Sequence, residues 1–152
     1  MITIDLQSRV LTPDRGVFFV RPGAGYRLHP DFESLSTIFS DLPGLDLDIE
    51  RELAEQPDIF ARIRRASKIR LWYQHKSGDF PSRDIDAYRS AARDQSVATL
   101  YTILRGFFER ANKGDLVLVP PRRFNRNALI GEIQTDAPGY QTVSVPRLYE
   151  DE

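Results

Sequence analysis

No cysteine occurs anywhere in the 152 residues. That absence excludes disulfides, thiolate zinc sites and thiol nucleophiles together. Histidine is nearly as scarce: His29 and His75 stand far apart, so neither a histidine-based metal site nor a cofactor is expected. No apolar run approaches the roughly 20 residues of a membrane span, and the N-terminus lacks the basic-then-apolar order of a signal peptide. A cytoplasmic protein with no membrane partner is the simplest expectation. Lysine is short as well, since 18 of the 21 basic residues are arginine, the side chain suited to phosphate forks and to stacking on rings. A genome whose codons favour arginine would leave the same imprint.

What is present fits one soluble domain, with 41% hydrophobic and 28% charged residues. The net charge of −1 hides an asymmetry. Residues 1–60 carry 11 acidic and 5 basic side chains, residues 61–134 carry 7 and 15, and residues 135–152 carry 4 and 1. The sums are −6, +8 and −3, which predicts one basic face on an otherwise acidic molecule.

The most organised stretch is 114–133. Gly114-Asp115 is a turn pair, and Leu116 to Val119 form an apolar run of strand length that Pro120-Pro121 stops. Arg122, Arg123, Asn125, Arg126 and Asn127 then surround a single aromatic, Phe124, before a second strand over 128–133. Gly131 in that strand predicts a bulge or a close backbone approach.

The remaining elements are read from periodicity. Alternation predicts a half-buried strand over 1–10, and the apolar run 17–20 a central one. Asp31 could cap a short helix carrying Phe32 and Leu35, with a strand at 36–39 as the alternative. A helix is predicted to begin over 45–54, capped by Asp46 or Asp48, with Pro57 in the first turn of the next helix. That next helix carries Ile59, Ile63, Ala66, Ile69 and Tyr73 at helical spacing, although 69–73 also alternates as a strand would. Residues 78–83 read as a loop and 84–92 as a short helix. Asp94 caps the clearest helix, 95–112, whose stripe of Val97, Leu100, Tyr101, Leu104, Phe107, Phe108 and Ala111 should pack on the sheet. A last strand is predicted over 141–145.

The succession Val17-Phe18-Phe19-Val20-Arg21-Pro22-Gly23, then Asp31-Phe32, then a helix ending in Phe107-Phe108, then Gly114-Asp115-Leu116-Val117-Leu118-Val119-Pro120, then Leu129-Ile130-Gly131-Glu132-Ile133 resembles the PUA-like domains of the EVE and Mrr N-terminal kind. The resemblance implies an α+β fold, a PUA-like (EVE-like) mixed β-barrel flanked by helices. It implies a reader of nucleic acid, DNA rather than RNA, often of a modified base, serving a fused or partner effector nuclease in restriction or anti-phage defence. The family's closing Arg-x-Val-x-Trp-like segment does not occur before Glu152. Residues 1–152 are therefore expected to be a single PUA-like domain, one module of a longer protein.

A flipped base needs aromatic walls and a basic rim. Candidates for those parts are Trp72 and Tyr73 beside Arg70, Phe80 in its loop, Phe124 among Arg122, Arg123 and Arg126, and Arg21 near a barrel mouth. A core position is the plainer role for Trp72, because adjacent residues on a helix do not readily face one pocket. A solvated hairpin tip would explain the arginines, though not Phe124. Two other classes remain open. A metal nuclease would use Asp115 with Glu132, but Gln134 stands where such enzymes keep a lysine. A small-ligand or protein-interaction sensor would show a pocket without a continuous basic rim. The expectation is a binding module, not an enzyme.

Overall fold

A computed structural model describes residues 14–90, 94–123, 127–136, 142–145 and 148–149. The strand expected over 1–10 and the hairpin-tip residues Phe124, Asn125 and Arg126 lie outside the described residues. The order of elements is β1 (Val17–Phe19), α1 (His29–Leu35), α2 (Ile59–His75), α3 (Asp86–Arg89), α4 (Gln95–Phe108), β2 (Leu116–Val119) and β3 (Leu129–Glu132). Four helices and a small mixed sheet make an α+β fold among the described residues. None of the helices there is long and apolar enough to cross a membrane.

The sheet order is β1-β2-β3, with β1 parallel to β2 and β3 antiparallel to it. A parallel pair needs a long crossover, and here the whole helical layer supplies it. Among the described strands β2 is therefore the central one and β1 an edge, the reverse of what the apolar run 17–20 predicts. The sheet is open, so the described strands do not close a barrel. Gly131 sits opposite Val117 in unbroken register, and a Cβ there would meet nothing within 4 Å. It marks neither a bulge nor a close approach. Residues 142–145 form no strand, although Val143 and Val145 alternate in burial with Thr142 and Ser144 as the sequence predicts.

Asp115 fastens the sheet. Its buried carboxylate accepts the Gly16 N–H at 2.7 Å and the Asn112 N–H at 2.8 Å. The Leu116 N–H donates in turn to the Gly16 carbonyl at 3.0 Å, so one side chain and one backbone bond hold the start of β1 against the start of β2. Two backbone N–H groups on one carboxylate are charge-assisted bonds of the stronger kind.

The helices build a separate core. α2 buries Ile59, Ile63, Ala66 and Ile69, the periodic positions of the sequence, and it is helical through 69–73. Asp94 caps α4 by accepting the Ser96 N–H at 2.8 Å. These bonds favour the charged carboxylate and pull its pKa below the ordinary value, the Ser96 hydroxyl contributing most and the Ser96 N–H next. α4 stops at Phe108, four residues short of the expected end. Its stripe packs mainly on α2: Val97 and Leu104 join Ile63 and Ala66 in one cluster with Leu42 and Leu53. Its last turn reaches the sheet, through Phe107 edge to face with Phe18 at 5.2 Å. The stripe thus faces a helix where the sheet was expected.

The segment 45–54 is not an α-helix. It is irregular chain with a turn at 49–50, followed by a single 3₁₀ turn, Leu53–Glu55. Leu45 and Leu47 pack on the helical core, and the buried Gln56 side chain replaces the missing backbone partners. Its carbonyl accepts the Asp48 N–H at 3.0 Å, and its amide donates to the carbonyls of Asp48 at 2.5 Å and Arg51 at 3.1 Å. Pro57 lies just before α2, whose N-cap residue is Asp58. α1 takes Pro30 into its first turn and carries Asp31 inside it, so Asp31 is not the cap.

Candidate functional site

A cleft of about 650 Å³ opens between the end of β1, the segment 38–42, the last turns of α2 and the C-terminal half of α4. Its walls are aromatic, with Phe18 and Phe19 from β1, Phe39, and Phe107 and Phe108 from α4. Phe19 is 75% exposed and Ile103 61%, so apolar surface stands open at the mouth. The polar groups are few: Arg21, Arg27, Ser40, Asp41, Arg70 and Gln74. Few polar groups on apolar walls is the usual make-up of a small-molecule or base pocket.

Three arginines of α2 do structural work. Arg62 donates to the Pro57 and Asp46 carbonyls, Arg64 to Tyr88 and Arg65 to Gly44 and Arg83. They anchor the chain before the helix and the loop after it, so much of the basic segment 61–70 is spent inside the fold. Arg70 differs. It lines the cleft and makes no hydrogen bond or ion pair to another described residue; its Nε, like that of Arg65, is buried without a partner. On the far rim Asp41 pairs with Arg27 and accepts the Tyr149 hydroxyl.

Tyr149 links the cleft to a second feature. Its ring meets Tyr73 at 5.1 Å, and Tyr73 meets Trp72 edge to face at 5.2 Å. The loop after α2 folds back, so that Phe80 touches both, 4.9 Å from Trp72 and 6.0 Å from Tyr73. Trp72 Nε1–H donates to the Gly78 carbonyl at 3.1 Å and holds that loop. Farther along, the Tyr88 hydroxyl donates to the Ser82 carbonyl at 2.8 Å. Burial raises its pKa, against a smaller opposing pull from Arg65, so it stays a neutral donor. The structure thus gathers Trp72, Tyr73 and Phe80, three of the residues singled out from the sequence. Their rings are already attended, however. The Lys76 ammonium lies 4.8 Å from the Trp72 centroid and 4.5 Å from that of Tyr73, and Arg83 lies 5.4 Å from Phe80. A base stacking there would have to displace those cations, which the cleft does not require.

Arg21 follows β1 and lines the cleft, its guanidinium 6.0 Å from the Tyr26 ring. Arg122 and Arg123 follow β2, exposed, with no hydrogen bond or ion pair to another described residue. Because β1 and β2 are parallel and Phe19 pairs with Leu118, these three arginines leave the same end of the sheet. Phe124 and Arg126 lie outside the described residues. The carboxylates of the nuclease alternative are otherwise engaged: both oxygens of Asp115 accept backbone N–H groups, and Glu132 faces Arg15 at 3.8 Å. No group of three or more His, Asp or Glu side chains placed to hold a metal occurs among the described residues.

The phenylalanine walls were not singled out from the sequence, but two doublets signalled them. Phe107 and Phe108 stand about 100° apart on a helix, and Phe18 and Phe19 point to opposite faces of a strand. In the strand pair, one member had to face away from any single core. Comparison of the chain with family models, with curated proteins and with solved structures finds no match, and the site is read from its own chemistry.

Proposed function

We propose that the chain is a nucleic-acid-binding module of the PUA-like kind that holds DNA across one end of its sheet, admits an extruded base to the cleft and serves an effector nuclease without catalysis of its own. One observation carries the reading. The phenylalanine-walled cleft opens at the end of the sheet from which Arg21, Arg122 and Arg123 also depart. An extruded base needs π-faced or apolar walls, and the backbone on either side of it needs cations. The PUA-like kinship is supported by the order of the pieces, although the described strands form an open sheet: β1 running into Arg21-Pro22-Gly23, α4 ending in Phe107-Phe108, then β2 and β3. The ion pair of Arg27 with Asp41 neutralises part of the rim, and that favours the second reading, a sensor of a small ligand or peptide.

Binding of labelled single-stranded and duplex DNA, plain and base-modified, at two salt concentrations tests the proposal. Replacing Arg122, Arg123 and Arg126 by Ala should weaken binding to every sequence alike and flatten the slope of log affinity on log salt. The change is up to about 0.9 per lost phosphate contact on B-form DNA. Phe39→Ala should leave the slope unchanged and reduce discrimination among bases, since stacking releases no counterions. An unaltered affinity and slope in the triple variant would remove the loop from the site. Tight binding of a nucleotide or peptide with no DNA binding would establish the sensor.

A further inference from the structure

We propose that Arg70 and Gln74 read the edge of a guanine held in the cleft, an assignment that rests on the nucleic-acid reading for its source of guanine. The two residues stand one turn apart on the same face of α2, and both line the cleft. Three other arginines of that helix end on backbone carbonyls. Arg70 alone among these four lines the cleft, and its guanidinium makes no hydrogen bond or ion pair to another described residue.

A guanidinium only donates, so whatever completes Arg70 must present acceptors. A cation that is partly buried is stable only when it finds them. A bare phosphate has acceptors, but against the phenylalanine walls it would lose hydration that apolar carbon does not replace. A base offers a π face to the walls and a polar edge to the arginine at once. Among the bases, guanine presents two adjacent acceptors, O6 and N7, that match the planar fork. Adenine places a donor, N6–H, beside N7 and would set donor against donor. Cytosine presents the N4–H donor on the corresponding edge, and thymine a single acceptor beside a methyl group. Gln74 adds an amide that can donate or accept one turn farther along, suited to a second polar atom of the same ring. A volume of about 650 Å³ leaves room for the attached sugar and phosphate.

The test uses the full chain and a set of short oligothymidylates, each with one central guanine, 7-deazaguanine, adenine or cytosine, together with free GMP and 7-deaza-GMP. The guanine oligonucleotide should bind roughly 5- to 150-fold more tightly than the adenine one, the span of one bidentate base contact. Replacing N7 by carbon should remove most of that preference. Arg70→Lys keeps the charge and loses the fork, and should bind guanine and adenine alike. The 7-deazaguanine arm needs no altered protein, so it decides the matter even where Arg70→Lys fails to fold. Equal binding of guanine and adenine, or of guanine and 7-deazaguanine, overturns the guanine assignment and leaves the nucleic-acid reading standing. Binding of GMP that is sensitive to N7, without binding of any oligonucleotide, keeps the assignment and overturns the nucleic-acid reading. Failure of every probe overturns both.

Discussion

The helical core and the sheet core of this protein differ in how completely each closes over its own side chains. On the helical side Leu53, Ile63 and Ala66 are wholly buried, and Leu42, Ile59, Val97 and Leu104 nearly so. On the sheet side the buried cluster among the described residues is smaller, Leu28, Phe32, Val117 and Val119, with partly buried neighbours such as Val20, Phe39 and Leu129. Phe107 packs toward the sheet core and Phe108 toward the helical one, so adjacent residues of α4 straddle the seam. The cleft lies along that seam, lined by Leu28 from one core and by Leu42 and Leu104 from the other. A single core would have used the same phenylalanines as filling. Two cores that meet imperfectly leave them as walls.

The comparison can be broken by mutation. Leu104→Ala removes a buried side chain from the tighter core and should cost about 2–5 kcal/mol in urea unfolding. Val117→Ala in the sheet core should cost less, having fewer methyl groups to lose. If the cores are separate, the double variant should equal the sum of the singles within about 0.5 kcal/mol, whereas a larger coupling would make them one. Asp115→Ala should cost about 1–3 kcal/mol, because the Gly16 and Asn112 N–H groups lose their acceptor in a partly buried place. A negligible loss would mean that water replaces the carboxylate and that Asp115 is free for another role.

The smallest effect concerns pH and the helical side alone. The Asp94 carboxyl is held below its ordinary pKa by Ser96. A depressed carboxylate contributes stability above its unfolded pKa and loses it as pH falls through the folded one. Thermal unfolding should therefore show Asp94→Ala less stable than the parent at neutral pH, with the gap narrowing in the acid range near and below the ordinary carboxylate pKa. A gap that is constant with pH would show that the capping charge contributes nothing.

What the sequence disclosed divides by the range of the contacts and not by core. Elements whose stability is local were legible: α4 through its stripe and its Asp94 cap, β2 and β3 through an apolar run cut by Pro120-Pro121. The segment 45–54 was not, because Leu45 and Leu47 find the core without a helix and the buried side chain of Gln56, just beyond the segment, supplies their neighbours' hydrogen bonds. The gathering of Trp72 and Tyr73 with Phe80 was only half visible. Adjacent on the helix, the first two meet edge to face, and the returning loop, tied by Trp72 to Gly78, brings the third ring to both. The cleft was hidden for a different reason. It is made by β1, the segment 38–42, α2 and α4 together, and no spacing along the chain encodes such a meeting.

The Asp115–Gly16 bond joins residues 99 positions apart, and that separation sets an order of assembly. As the chain leaves the ribosome, β1 emerges before its partner β2, which is not made until the four described helices have been synthesised. At roughly 5–20 residues per second, the wait is about 5–20 s. During it Val17, Phe18 and Phe19 lack their partner among the described strands. The helices, whose contacts span shorter stretches of chain, have that interval in which to pack, while the sheet can only follow.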